Sequence, residues 1–224
     1  MLLPDLSRRL QAEDITGSRA ALSRATEMSL ALAVPAAVAL AVIPVTLISA
    51  LFERGAFDAT DTAATALACA VYGLGLPAFV MQKVVQPLFF AREDTRRPFY
   101  YAVVAMVVNA VIAVGLMNWL VFIAAAVATT GAGWAILVLL WQGSRGMGEA
   151  ARLEPSTGPR ILRIVAASLL MGAVIWAADR FVFDELSKLV EVALLCLTGM
   201  ASYALLGTAL RAFSLSELRA VFRR

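Results

Sequence analysis

The sequence predicts an all-α integral membrane protein with about six transmembrane helices, and three observations carry that prediction. Hydrophobic residues make up 61% of the 224-residue chain and charged residues 16%, with a mean hydropathy of +0.82, against roughly 25% charge in soluble domains. Six apolar stretches each reach about 20 residues, the length at which a helix rising 1.5 Å per residue crosses a hydrocarbon core of about 30 Å. Basic residues also sort to alternate connections between those stretches. The spans must be helices, because an open sheet edge cannot satisfy its backbone in lipid.

Residues 1–26 carry Arg8, Arg9, Arg19 and Arg24 and form a cytoplasmic amphipathic segment. The first span, 27–52, contains Pro35 and Pro44, each of which removes a helical hydrogen bond and predicts a bend. The second, 62–90, contains Gly73, Gly75 and Pro77, a bend or gate element. Straight, it would run about 43 Å, so it must tilt, bend or protrude. Asp94-Thr95 before Arg96-Arg97-Pro98 reads as a turn and a helix start. The third span, 99–117, holds Asn109, and the fourth, 120–141, holds Thr129 and Thr130 beside Ala124, Ala125, Ala126, Ala128, Gly131 and Gly133. Small residues admit close helix approach. For the three polar side chains two roles stay open, hydrogen bonding between helices and an oxygen-lined monovalent cation site.

Residues 27–141 thus form a four-helix part, and 142–160, rich in Gly, Arg, Glu and Pro, a cytoplasmic linker. Spans 161–183 and 189–210 make a final pair within 161–210. In the basic tail, 211–224, Ser214 and Glu217 fit a capping box, and Leu215, Leu218, Val221 and Phe222 share one face. Such a helix lies on an anionic inner leaflet.

Six spans place fifteen of the nineteen basic residues on one side, the side of both termini and of Arg92, Arg96, Arg97, Arg145, Arg152 and Arg160. Arg54, Arg180 and Lys188 occupy the other side. The positive-inside rule makes both termini cytoplasmic. The net charge of +3 therefore reflects topology, and no solvated basic face of the kind that binds nucleic acid is present. The chain has no histidine, which excludes Ser-His-Asp and Cys-His catalysis and the usual zinc sets. Cys69 and Cys196 fall inside spans and read as small apolar thiols. No cofactor is expected.

Lys83 is the exception to this apolar pattern. It sits within the second span with Gln82 and Gln86, and an ammonium near hydrocarbon costs roughly 2.5–3.5 kcal/mol on insertion scales. Residues 82 and 86 share an i,i+4 row, and 83 and 86 an i,i+3 row. The group therefore reads as the lining of a wet cavity, with snorkelling of Lys83 to the headgroups as the competing account.

Four segments occur in order: Leu3-Pro4-Asp5-Leu6-Ser7; Leu51-Phe52-Glu53-Arg54-Gly55-Ala56-Phe57; Tyr72-Gly73-Leu74-Gly75-Leu76-Pro77; and Lys83-Val84-Val85-Gln86-Pro87-Leu88-Phe89-Phe90-Ala91-Arg92-Glu93-Asp94-Thr95-Arg96-Arg97-Pro98. In this order and spacing the chain resembles the MurJ/MviN family of lipid II flippases. The resemblance implies a bacterial inner-membrane, multi-pass protein of a fourteen-helix exporter superfamily, with this chain matching the C-terminal lobe, helices nine to fourteen. It implies transport of undecaprenyl-diphosphate-disaccharide-pentapeptide to the outer leaflet, coupled to a monovalent cation or the membrane potential. Lys83, Gln82 and Gln86 would line the substrate path, with Arg92, Arg96 and Arg97 as further candidates that would either attract the pyrophosphate or anchor the helix ends to anionic lipid, and the last two helices would form a groove for the tail. Partners would be lipid II, membrane lipids and an N-terminal lobe that this chain lacks; the chain would begin within such a protein. Ala113 departs from the family one turn after Asn109, where relatives often carry a polar residue, which weakens the cation reading. The alternative is a noncatalytic membrane partner or an inactive remnant. A membrane-embedded transferase would need acidic metal clusters, and Glu93 and Asp94 are the nearest approach to one on the cytoplasmic side.

Overall fold

A computed structural model describes residues 8, 14–120, 123–182 and 187–212. Among them are seven α-helices: α1 (Ile15–Val42), α2 (Pro44–Phe52), α3 (Ala59–Phe90), α4 (Arg96–Leu116), α5 (Ala124–Arg145), α6 (Thr157–Phe181) and α7 (Lys188–Ala209), with a 3-10 turn at Glu149–Ala151. All but α2 are long and apolar enough to cross a membrane. The protein is therefore an all-helical, multi-pass membrane protein. The Leu3-to-Ser7 motif and the expected tail helix from Ser214 lie outside the described residues.

The two expected proline bends in the first span behave differently. Pro44 ends the helix: Ile43 adopts φ −121° and ψ 42°, and Pro44 opens α2 at its first turn, where a missing N–H costs nothing. Pro35 lies inside continuous α1. Pro77 and Pro87 lie inside α3, whose 32 residues amount to about 48 Å. α1 starts at Ile15, well before the apolar window that begins at residue 27. The helix continues past the hydrophobic stretch because residues 15–26 meet protein.

The described residues form two compact units, one holding those up to Ala33 with Gly75–Gly158, the other Val34–Leu74 with those from Pro159 on. In the first, Met81, Val84, Val85, Leu88 and Phe89 of α3 repeat at helical spacing and meet Leu22, Ala105, Ala132, Ile136, Leu140 and Ala151. α4 packs along α5. Apolar all round, α4 leaves Phe99, Tyr100, Val103, Met106, Val107, Val111 and Val114 exposed, as a lipid-facing helix should.

Small residues set the approach distances in this unit. A Cβ at Gly75 would stand 2.8 Å from Phe79 and 3.1 Å from the Thr130 hydroxyl, and one at Gly133 would run into the same Phe79 ring. Phe79 therefore fills a slot cut by one glycine on its own helix and another on α5. Tyr101 occupies the space over Gly143 and meets buried Phe89 edge-on at 6.1 Å.

In the second unit Ile43, Met171, Ile175, Ala178 and Leu195 form the core, flanked by Val38, Ala39, Val42 and Tyr203. Gly73 admits Leu40, Gly172 admits Val38 and Gly199 admits Ile175. α2 packs on α7. Their ends are tied by Lys188 to Glu53 at 3.0 Å, and Glu53 also accepts the Thr62 hydroxyl at 3.3 Å.

Candidate functional site

The polar trio of α3 separates. Gln82 donates its side-chain amide to the Gly133 carbonyl of α5 at 2.8 Å, a link between helices. Lys83 points the other way: the core positions 81, 84, 85 and 88 take the opposite face, and Lys83 is exposed, with no hydrogen bond or ion pair recorded among the described residues. Gln86 is half-buried between these faces. Pro87 also withdraws the helical donor from the Lys83 carbonyl, four residues earlier. A cation and a backbone acceptor freed from the helix thus occur at one residue, in a segment otherwise built for lipid or protein contact.

The loop after α3 holds the arginines. Glu93 takes a left-handed φ of 59°, while the Asp94 N–H donates to the Phe89 carbonyl and the Glu93 N–H to that of Phe90. This is a helix-closing arrangement that usually employs glycine at the left-handed position. Asp94 then accepts the Arg97 N–H at 3.1 Å and pairs with the Arg97 guanidinium at 3.3 Å, so the expected helix start is built as read. Arg96 is exposed and Arg92 half-buried. Burial lowers the Arg92 pKa from its ordinary value, yet a guanidinium stays charged. Arg97 is committed locally, and Arg92 and Arg96 carry the remaining positive charge of the turn.

Asn109 donates its side-chain amide to the Thr129 hydroxyl at 3.4 Å across the α4–α5 contact. Thr130 sits on the same stretch, against Gly75. The Asn109–Thr129 bond is a contact between helices, one of the two roles open to these side chains. Gly73, Gly75 and Pro77 lie in an unbroken part of α3, and both glycines are sites of close side-chain approach.

Sequence reasoning missed a polar seam on α1. Ser18, Ser23 and Thr26 of α1 are buried; the Glu154 N–H donates to the Ser23 hydroxyl at 2.8 Å and Arg19 donates to the Leu153 carbonyl at 3.3 Å. The 142–160 linker is therefore docked onto α1. Residues 18, 19, 22, 23 and 26 share one helix face, the signal that could have revealed it.

The chain is similar to known proteins along its length. The family profile described as "Lipid II flippase MurJ" matches residues 1–197. A probable lipid II flippase MurJ of Rhizobium meliloti is 35% identical over 231 residues, covering all of this chain and 43% of that protein. One of Rhizobium tropici is 38% identical over 175 residues, covering 78% of this chain and 33% of its own length. A solved structure titled lipid II flippase MurJ, inward closed conformation, superposes with a TM-score of 0.73 at 21% identity, over 94% of this chain and 43% of that one. The chain thus spans less than half the length of these relatives.

Proposed function

Given that the chain belongs to the lipid II flippase MurJ family, we propose that it supplies the C-terminal lobe of a lipid II flippase, the part corresponding to helices nine to fourteen. In this reading it works in a bacterial inner membrane with both termini cytoplasmic, together with an N-terminal lobe. The two lobes alternate access to a site between leaflets, since such transporters rock one half against the other. Undecaprenyl-diphosphate-disaccharide-pentapeptide is the substrate, with Lys83 offering its ammonium to the anionic headgroup and Arg92 and Arg96 drawing that headgroup toward the cytoplasmic entrance.

The observation that carries the proposal is Lys83, exposed and without an ion pair among the described residues, in a helix long and apolar enough to cross a membrane. A lysine that cost a few kcal/mol to insert is retained where it meets either an anion or a wet cavity. Gln82 acts in packing, and Gln86 is the polar neighbour available to the same path. Asn109 and Thr129 serve the contact between α4 and α5, Thr130 sits against Gly75 of α3, and no step is routed through a coupling cation.

The test is Lys83→Ala in a protein that also carries the N-terminal lobe, with lipid II exposure at the outer leaflet as the readout. Transport falls at unchanged protein level, and Lys83→Arg keeps part of it because charge survives while geometry changes. Normal transport in the Ala variant at equal expression would reduce Lys83 to a snorkelling anchor.

A further inference from the structure

The second unit contains a cavity of about 340 Å³ that the transport reading does not use, with Val45, Thr46, Trp176, Asp179, Arg180 and Glu191 in its lining. It opens where the helix break at Ile43 turns α1 into α2. One wall is apolar and opens on the surface of the unit, since Val45 is 54% and Trp176 50% exposed. The other wall is charged and of mixed sign. Asp179 and Arg180 come from the last turn of α6, and Glu191 from the first turn of α7, so the charged wall lies at the membrane boundary. Its geometry is held: Asp179 accepts the Thr46 hydroxyl at 2.8 Å, the Lys188–Glu53 pair closes the neighbouring helix ends, and Trp176 meets Phe181 edge-on at 6.3 Å.

We infer that this cavity binds the headgroup of a zwitterionic phospholipid bearing a primary ammonium, a phosphatidylethanolamine, with its acyl chains running down the Val45–Trp176 face. Each feature selects part of that molecule. The Thr46 bond uses one acceptor site of Asp179, and an ionised carboxylate has about four, so Asp179 still accepts from an ammonium. Glu191 lines the same space. Arg180, for which no ion pair is recorded among the described residues, supplies the planar donor fork suited to a phosphodiester. A bare cation is disfavoured by the arginine, and a purely anionic headgroup by two carboxylates. Choline lacks the N–H donors that make carboxylate recognition directional. A tryptophan at the polar–apolar boundary fits the glycerol level of a bilayer.

The inference stands apart from the flippase reading and is tested on the purified full chain without any transport assay. Thermal melting and native mass spectrometry in a neutral maltoside are run with added dioleoyl phosphatidylethanolamine, its mono- and dimethyl derivatives, phosphatidylcholine and phosphatidylglycerol. The ethanolamine lipid binds tightest, affinity falls with each methyl group, and phosphatidylcholine is weaker by roughly tenfold, the scale of one charge-assisted hydrogen bond. Asp179→Asn keeps an acceptor for Thr46, so it folds, and together with Glu191→Gln it brings the ethanolamine lipid down to the phosphatidylcholine level. Equal binding across the methylation series overturns the inference on the wild type alone. So does phosphatidylglycerol matching the ethanolamine lipid, or an ethanolamine preference that survives in the double variant. Stabilisation by Mg²⁺ alone, lost in the same variant, would replace the lipid by a cation and also overturn it.

Discussion

Gly133→Ala isolates the contact on which α3 and α5 depend. The added methyl group would collide with the Phe79 ring, with Cδ1 at 2.9 Å and Cζ at 3.1 Å from an ideal Cβ. The ring has little retreat, because its other edge already occupies the space a Cβ on Gly75 would take, 2.8 Å from that ideal position. Overpacking of this kind costs about 1–3 kcal/mol. The carbonyl of the same residue accepts from Gln82 at 2.8 Å, and if α5 shifts outward that bond is strained, a further loss of about 0.6 kcal/mol on the scale of interhelical bonds in membranes. Against this, alanine is a better helix former than glycine by about 1 kcal/mol. The balance is a destabilisation of about 0.6–2.6 kcal/mol, measured as a shift in reversible unfolding in mixed micelles. Phe79→Ala in the same background opens the slot, so the double variant loses less than the sum of the single losses. A Gly133→Ala protein as stable as wild type, or single losses that simply add, would refute the slot.

Three further outcomes follow from local geometry. Glu93→Gly relieves a left-handed backbone at φ 59° and raises stability by about 1 kcal/mol, read from the same unfolding experiment; an unchanged midpoint would contradict the helix closure. Ser23→Ala leaves the half-buried Glu154 N–H without its 2.8 Å acceptor and lowers stability by about 1 kcal/mol, the net worth of one hydrogen bond. It also speeds protease cleavage of the 149–158 segment, where an unaltered digestion rate would mean that the linker is not docked. For orientation, a cysteine at Ser156 is shielded from an impermeant thiol reagent outside intact cells while one at Ala59 is labelled, and the reverse pattern would invert the topology.

The architecture was legible because membrane spans obey one strong constraint. Hydrocarbon demands helices of fixed length, so the six apolar stretches place six of the seven helices. The boundaries were less legible, for a reason visible in α1: hydropathy marks where a helix meets lipid, and at Arg19 and Ser23 α1 holds the docked linker instead. Proline was ambiguous for a related reason. Pro44 breaks its helix and Pro77 does not, and the sequence alone does not say which freed carbonyls find other partners.

Within the candidate site, residue type was legible and direction was not. Gln82, Lys83 and Gln86 are close enough in sequence to suggest one lining, but successive residues turn by about 100° around a helix, and small neighbours decide where each side chain ends. Gly133 leaves its carbonyl open to Gln82, which draws that residue toward α5, while the apolar row at 81, 84, 85 and 88 fixes the core side and turns Lys83 away from it. The same logic separates the glycines from a purely mechanical role. Gly73 and Gly75 can favour bending beside Pro77, yet each is also the only residue small enough for the side chain that faces it, Leu40 in one unit and Phe79 in the other. A bend that swung α3 at this point would have to undo one of those contacts. A larger residue at Gly73 therefore separates the two roles: if packing dominates, Gly73→Ala lowers stability and transport together, whereas a hinge would show transport lost from a protein that unfolds as before.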